Sequence, residues 1–554
     1  MRHPPFGESP NPLARADALT AEAGFLLFDH APGRAELALR DADAAYETIL
    51  PEPEDARAVA VFHALTHRRL AEIHQHSGDA GAGIRELARS LSLLQAGPTR
   101  GPAGAWALAV RGAVHGLRAE LERTRFDLIA SRRDWAIAAR EGEAAARRWP
   151  ALDFARADAI AARTQLAFSA VWSSRLRDAD RQLDRALRAV GPGWSRADAG
   201  IRPALSVART LLLVARLRVL ELRLDLALGL YRDSEHAFSR TLARQPGSPA
   251  VRAEMAEALV GQAVIVALRG RSRRARRRFD LALDRAREAV AMAPRRPELW
   301  STLTRVLLVR SGMAQAFEPA ESPLVAATAA LAAGRRCVRF GESNLRHRRD
   351  LANALRRVGQ IEGRSPGRRG RALRHLNEAA SILGGIVREN PKDAPSRARL
   401  AVVLSDLISV EPDSGRPRRA RDLFERAVGE MNTFAAYFPT GFLVPGLLGY
   451  VRRAYAVSAA AGLPPRARLI ELERSRDAYA SARARAPGYL PALWGVRDVS
   501  ALLATTDGRT AAGRRRDRAT VAAVDDVLRR AGIRPRETFD ELDPAGGFLG
   551  LAMR

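Results

Sequence analysis

The sequence predicts an all-α fold, an α-solenoid built from helix–turn–helix repeats of about 48 residues. Three observations carry this expectation. Helix-stop residues recur: prolines stand at 51, 98, 150, 192, 246, 294, 391, 439, 487 and 535, with Gly341 in the one place where a proline is missing. A proline cannot extend the hydrogen-bond ladder of a helix, and the intervals between these stops run from 42 to 54 residues. The residues ahead of the stops repeat one helical face. Phe279, Ala282, Ala286 and Ala289 precede Pro294, Leu376, Ala379, Leu383 and Ile386 precede Pro391 at the same offsets, and Phe424, Ala427, Met431 and Phe434 precede Pro439. Leu472, Tyr479 and Ala482 continue the series before Pro487, with Arg476 one position out of register. Finally, no stretch sustains an apolar–polar alternation between turn signals, so no sheet is expected. One helix pair cannot cover its own apolar face, so such repeats must stack along an axis.

In chain order, residues 1–12 are proline-rich and expected to fray. The segment 13–246 holds irregular repeats, beginning with helices over 13–30 and 34–50, then 56–76 and 83–95. The turn GDAGAG (78–83) has neither a preceding strand nor the G-x-G-x-x-G order of a phosphate loop, and so reads as a plain turn. After GPTRGPAG (97–104) one long helix is expected over 105–131, and between 131 and 246 the stop intervals become uneven. The segment 247–535 is regular. Its first repeat, 251–300, is a helix, a glycine-and-arginine turn, a second helix, a proline stop and the start of the next helix. Residues 536–554 form a C-terminal tail.

The regular half resembles the tetratricopeptide-repeat family. ENPKDAPSRARLAVVLSDL (389–407), HRRDLANALRRVGQI (347–361) and RRPELWSTLTRVLL (295–308) carry the likeness, with Trp300 six residues past Pro294 where the family often has a first-helix tryptophan. YRDSEHAFSRTLARQP (231–246) is close to an ordinary second helix, with Phe238 and Thr241 in its packing positions. From 246 onward the second helix looks longer by roughly two turns, which is most similar to the long-repeat arrays that follow the catalytic domain of some bacterial serine/threonine kinases. The resemblance implies a solenoid that presents a surface to a peptide or protein.

Charge narrows the partner. Lys and Arg total 90 against 62 Asp and Glu, a formal net charge of +28, and Lys392 is the only lysine. The preference for arginine over lysine matches a coding bias, but the excess of positive charge favours anionic partners. A single cysteine, Cys337, excludes an intrachain disulfide framework and suits a reducing compartment. The N-terminus has no apolar core of signal-peptide type. The most apolar window, 204–230, is broken by Arg209, Arg216, Arg218, Glu221, Arg223 and Asp225, charges too costly for lipid, so a buried helix pair is expected there. A cytoplasmic protein with no membrane partner follows.

Two stretches look like chemistry without supporting it. HRRDLAN (347–353) resembles a kinase catalytic loop, but an arginine is inserted and Asn353 follows Asp350 by three residues where that loop needs five. FHALTHRRLAEIHQH (62–76) puts His63, His67 and His74 within about 40° on one helical face, yet His74 stands about 10 Å beyond His67 along the axis. His63 and His67 alone leave two ligands with no glutamate between them, which is expected to be a polar helix face. No enzyme, cofactor or metal is predicted.

The remaining pattern is arginine. Arg271, Arg273 and Arg274, then Arg368, Arg369 and Arg371, then Arg416, Arg418 and Arg419, then Arg514, Arg515 and Arg516 fall 19 to 23 residues ahead of successive stops. Equal phase in a solenoid means equal position, so these clusters should line one edge as a basic ridge, interrupted by Glu318 and Glu321 in the turn AFEPAESP (316–323). The expected function is a non-enzymatic scaffold or adaptor for an acidic peptide or protein. The alternatives are a nucleic-acid binder or a regulatory subunit of a signalling kinase. Compositional filling of exposed turns is the competing account of the ridge.

Overall fold

A computed structural model gives the fold and describes residues 12–28, 32–49, 56–95, 101–125, 127–190, 201–314, 317, 322–411, 417–458 and 462–533. Among the described residues there are twenty-two α-helices and no strand. They run α1 Pro12–Phe28, α2 Pro32–Glu47, α3 Ala56–Ser77, α4 Ala80–Gln95, α5 Gly101–Thr124, α6 Leu128–Arg148, α7 Asp153–Trp172, α8 Leu176–Val190, α9 Ile201–Leu220, α10 Leu224–Arg244 and α11 Pro249–Leu268. The series continues with α12 Ser272–Met292, α13 Pro297–Met313, α14 Pro323–Phe340, α15 Leu345–Gly363, α16 Arg369–Glu389, α17 Ala394–Val410, α18 Pro417–Tyr437, α19 Leu443–Val457, α20 Pro465–Arg485, α21 Leu490–Thr505 and α22 Ala511–Arg530. The protein is an all-α solenoid of tetratricopeptide-like helix pairs.

The stop residues set its period by a steric mechanism. The residue before a proline is pushed out of the helical region. Trp149, Ala293 and Ala486 accordingly leave their helices at φ −141°, −143° and −141° with ψ 89°, 71° and 89°. The helices these stops close are uniform: α6, α10, α12, α16, α18 and α20 are each 21 residues long. Their repeated apolar face is the buried one, with Phe279, Leu376, Met431 and Tyr479 in the core. Where Arg476 falls out of register, Ser475 takes the buried place and its hydroxyl donates to the Gly449 carbonyl at 2.7 Å. The stops expected at 51, 98, 192 and 535 lie outside the described residues.

The second helix does not lengthen from 246 onward as expected, since α10 and α12 are both 21 residues long. The helix expected over 105–131 is two helices, because Asp127 caps α6 by accepting from the Ala130 amide at 3.1 Å and so starts a new helix inside an apolar run.

The chain divides into two compact units, Met1–Ala167 with Arg181–Thr210, and Phe168–Asp180 with Leu211–Arg554. In the first unit α1 packs on α2, α3 on α4 and α5 on α6. In the second, each of α11, α13, α15, α17 and α19 packs on its own partner helix and on the next first helix in the row. The first helices therefore form a continuous inner row, apolar nearly all round; fourteen residues of α17 are buried. Second helices lie side by side outside it, joined by Arg278 to Glu235 at 3.4 Å, Arg335 to Glu378 at 3.8 Å and Arg476 to Asp517 at 3.1 Å.

The second unit also closes on itself. Thr440 donates to the Ser173 carbonyl at 3.0 Å, and the Phe442 amide donates to the Ser174 hydroxyl at 2.8 Å. Gly488 lies against the backbone of Leu220–Leu222 so closely that a Cβ there would overlap it. Ser174 and Leu222 are the non-glycine residues with positive φ, 54° and 58°, among the described residues. Both sit at these docking points, where left-handed backbone costs about 1–3 kcal/mol and persists because surrounding structure holds it.

Candidate partner-binding surface

The ridge arginines lie where second helices begin. Arg271 is the N-cap residue of α12 and Arg368 that of α16, and neither side chain makes a capping hydrogen bond. Arg273 and Arg274 follow in the first turn of α12, Arg369 and Arg371 in that of α16, Arg418 and Arg419 in that of α18, and Arg514, Arg515 and Arg516 in the first turns of α22. Arg466 holds the corresponding place in α20. The arginines thus occupy the starts of α12, α16, α18 and α22, each the second helix of its pair. Arg416, Glu318 and Glu321 lie outside the described residues.

Exposure divides the set. Arg271, Arg273, Arg274, Arg368, Arg371, Arg418, Arg515 and Arg516 are exposed, while Arg369, Arg419 and Arg514 are half-buried. Arg419 is committed inside the fold, at 3.0 Å from the buried Glu411 carboxylate. Among the described residues no ion-pair partner faces Arg274, Arg368, Arg371, Arg418, Arg515 or Arg516. Met292, Phe340 and Tyr437 reach solvent at the other end of α12, α14 and α18, while Val325 and Leu226 are exposed at the starts of α14 and α10. No exposed aromatic residue accompanies the arginines among the described residues.

Helix starts elsewhere in the chain are mixed: Arg296 begins α13 and Arg223 begins α10 without a capping bond, while Thr510 caps α22 by accepting from the Gly513 amide at 3.0 Å. Ser248, Asn344 and Asp393 cap the first helices α11, α15 and α17 by accepting from the Val251, Arg346 and Ser396 amides at 3.4, 3.0 and 2.9 Å. An N-cap oxygen contributes about 1 kcal/mol, and a cation in the first turn opposes the helix dipole by a few tenths of a kcal/mol. The arginine starts of α12 and α16 forgo the first and incur the second.

Charged residues of the inner row serve packing instead. Arg216 and Arg305 hold Glu257 between them at 3.0 and 2.9 Å, and Arg305 continues to Asp350 at 3.2 Å. Burial pushes the Glu257 carboxyl up, but the two guanidinium groups outweigh it and hold it below its ordinary value. Asp350, the aspartate of the kinase-like stretch, is buried and also accepts from the Ser301 hydroxyl at 2.5 Å. Farther along, Arg356 meets Asp406 at 2.5 Å, and the Tyr450 hydroxyl donates to the other Asp406 oxygen at 2.5 Å. Cys337 is buried, and that burial pushes its thiol up, away from the reactive thiolate.

The histidines of α3 are not a polar face. His67 is buried and bonded through both ring nitrogens, Nε2 to Asp43 of α2 at 3.1 Å and Nδ1 to Glu86 of α4 at 2.8 Å. His63 Nε2 reaches the same Asp43 oxygen at 2.7 Å. Burial alone would lower the His67 pKa, yet its hydrogen bonds to Asp43 and Glu86 raise it to about 9. The sequence showed His63 and His67 on one face, but their carboxylate partners lie on other helices about 20 residues away in each direction.

No family model matches the sequence, and no curated protein matches it. Solved structures do. A tetratricopeptide-repeat protein from Parabacteroides merdae is 13% identical, with a TM-score of 0.30 over 61% of this chain and 98% of that one. The human IFIT1 dimer with m7Gppp-AAAA is 10% identical, with a TM-score of 0.41 over 87% of this chain and 97% of that one.

Proposed function

We propose that this protein is a non-enzymatic binding scaffold whose arginine edge takes an extended acidic segment of a partner protein. The observation that supports the reading most is the exposure of Arg271, Arg273, Arg274, Arg368 and Arg371 at the starts of α12 and α16, where neither Arg271 nor Arg368 makes a capping bond. Neighbouring helices pack on the order of 10 Å apart, which is about one Debye length at physiological salt. A small anion therefore feels one cluster, whereas an extended acidic chain spans several. The lack of exposed aromatics beside the arginines favours a peptide over a single-stranded nucleic acid, whose bases would need stacking platforms. The likeness to arrays that follow bacterial kinases rests on the long second helices and identifies no partner. Among the described residues no helix is long and apolar enough to cross a membrane.

The test is anisotropy of a labelled poly-glutamate peptide, with an unlabelled single-stranded RNA of similar charge as competitor. Wild-type protein should bind the peptide, with affinity falling as salt rises. The variant Arg271→Glu/Arg274→Glu/Arg368→Glu/Arg371→Glu should lose at least tenfold while its helical circular dichroism is unchanged. Equal affinity in wild type and variant would refute the edge. Binding of RNA without binding of peptide would move the function to nucleic acid.

A further inference from the structure

In the first unit, the junction between the first two helix pairs holds a cluster that packing alone does not require. We propose that Asp43, His63 and His67 form a three-ligand site for a divalent transition-metal ion, with Zn²⁺ as the first candidate. It is independent of the arginine edge. The three ligand atoms lie within 4.8 Å of one another, and they come from two helix pairs, Asp43 from α2 and both histidines from α3. One turn of helix separates His63 from His67, so their rings stack with centroids 5.1 Å apart and both turn Nε2 toward the same Asp43 oxygen. Two imidazoles and one carboxylate make a donor set suited to Zn²⁺, Co²⁺, Ni²⁺ or Cu²⁺ rather than to Mg²⁺ or Ca²⁺.

The outer groups fit as well. A metal-bound histidine usually donates its other ring N–H to a carboxylate, which fixes the tautomer and aims the free nitrogen. His67 does this through Nδ1 to Glu86, and Arg40 in turn holds Glu86 at 2.8 Å. Tyr46 stacks on His63 at 5.2 Å, limiting rotation of that ring, and its hydroxyl donates to Asp17 at 2.6 Å. Ligand atoms around a tetrahedral zinc ion stand about 3.3 Å apart, given bond lengths near 2.0–2.2 Å. The nitrogens here stand 2.7 and 3.1 Å from the Asp43 oxygen, so an outward shift of about half an ångström opens the site to that geometry. The ion would take the place of the Nε2 protons that now bridge to Asp43. Asp43 and His63 keep 14% and 12% of their side-chain surface exposed, which leaves an entry path and room for a fourth ligand, water or a partner's side chain. Bound there, the ion would cross-link α2 to α3, and with them the first helix pair to the second.

The experiment uses the full chain, stripped with a chelator, titrated with Zn²⁺ against a chromophoric competitor and with Co²⁺ for its visible spectrum. One equivalent should bind to wild type and equally to His74→Ala, which removes a histidine of the same helix outside the cluster. His63→Ala should lose the site. Glu86→Gln, which keeps all three ligands, should weaken it about 10–100-fold. Circular dichroism is recorded first on every variant; if His63→Ala does not fold, His63→Gln replaces it. Absence of a stoichiometric site in the folded wild type, or equal affinity in the His63 variant, would overturn the proposal.

Discussion

The two units join their helix pairs by different means. In the first, neighbouring pairs meet over alanine-rich contacts and clusters built on histidine and carboxylate, such as His67 between Asp43 and Glu86. In the second, they meet through arginine–carboxylate pairs buried along the row of first helices, and the row is closed by long-range docking of turns. Arginine stays charged throughout the physiological pH range and histidine does not. The first unit should therefore respond to metal ions and lose the His67 contribution as pH rises from 6.5 through about 9, while the arginine pairs of the second unit keep theirs over that range.

The largest effect should come from breaking an inner-row pair. Asp406→Ala leaves Arg356, which is fully buried, without its carboxylate. Removing one partner of a buried pair costs about 3–5 kcal/mol. Urea unfolding should show the second unit's transition shifted by that amount and the first unit's unmoved. A shift shared by both transitions would show that the two units do not unfold independently.

Next is Gly495→Ala. The Tyr479 ring sits over Gly495 of α21 and Gly449 of α19, and a Cβ at 495 would stand 2.5 Å from it. Overpacking of this kind costs about 1–3 kcal/mol. Gly429, with nothing near a Cβ on α18, is the control: Gly429→Ala should be neutral or stabilising, since alanine is the better helix former.

These residues also show what the sequence made legible. The period, the pairing of helices and the buried face of each second helix all follow from local chemistry: a proline stop and a spacing of three or four residues. The position of the arginines at second-helix starts follows from the same phase argument. Contacts between distant parts of the chain were not legible. Ser173 and Thr440 are 267 residues apart, and no local signal marks their docking. The partners of His67 were hidden for a similar reason, since Asp43 and Glu86 look like ordinary solvent-facing acids in their own helices. The cap at Asp127 was available in the sequence, but it was masked by the apolar residues that continue through it.

A smaller effect concerns acid. Burial pushes the Asp134 carboxyl of α6 up, but hydrogen bonds from His115 at 2.8 Å and Arg118 at 2.5 Å, with the Arg118 charge, outweigh it and leave its pKa at about 2. The folded value lies below the ordinary 3.8. Its contribution to stability is thus complete above pH 3.8 and disappears as pH falls toward about 2. Melting the chain from pH 5 to pH 2 should lower the first unit's transition. Asp134→Asn should start lower and lose part of that pH dependence. An Asp134→Asn variant with the same pH dependence as wild type would show that Asp134 does not carry this effect.

The smallest effect on stability has the most to say about function. Arg271 and Arg368 occupy N-cap positions and make no capping bond, so Arg271→Asp and Arg368→Asp offer an oxygen to amides that lack one. Each should stabilise the second unit by about 1 kcal/mol, and the favourable sign of charge at a helix start adds a few tenths more. Stabilising cap substitutions are common in natural proteins, so the gain in stability alone does not mark a function, and binding has to be read beside it. The same variants should weaken binding of a poly-glutamate peptide and flatten its dependence on salt, because each removes one cation from the edge and adds an anion. A higher melting temperature with weaker peptide binding would tie the arginines to a partner. A higher melting temperature with unchanged binding would make them a by-product of composition, and the acidic partner would have to be sought on another face of the second unit.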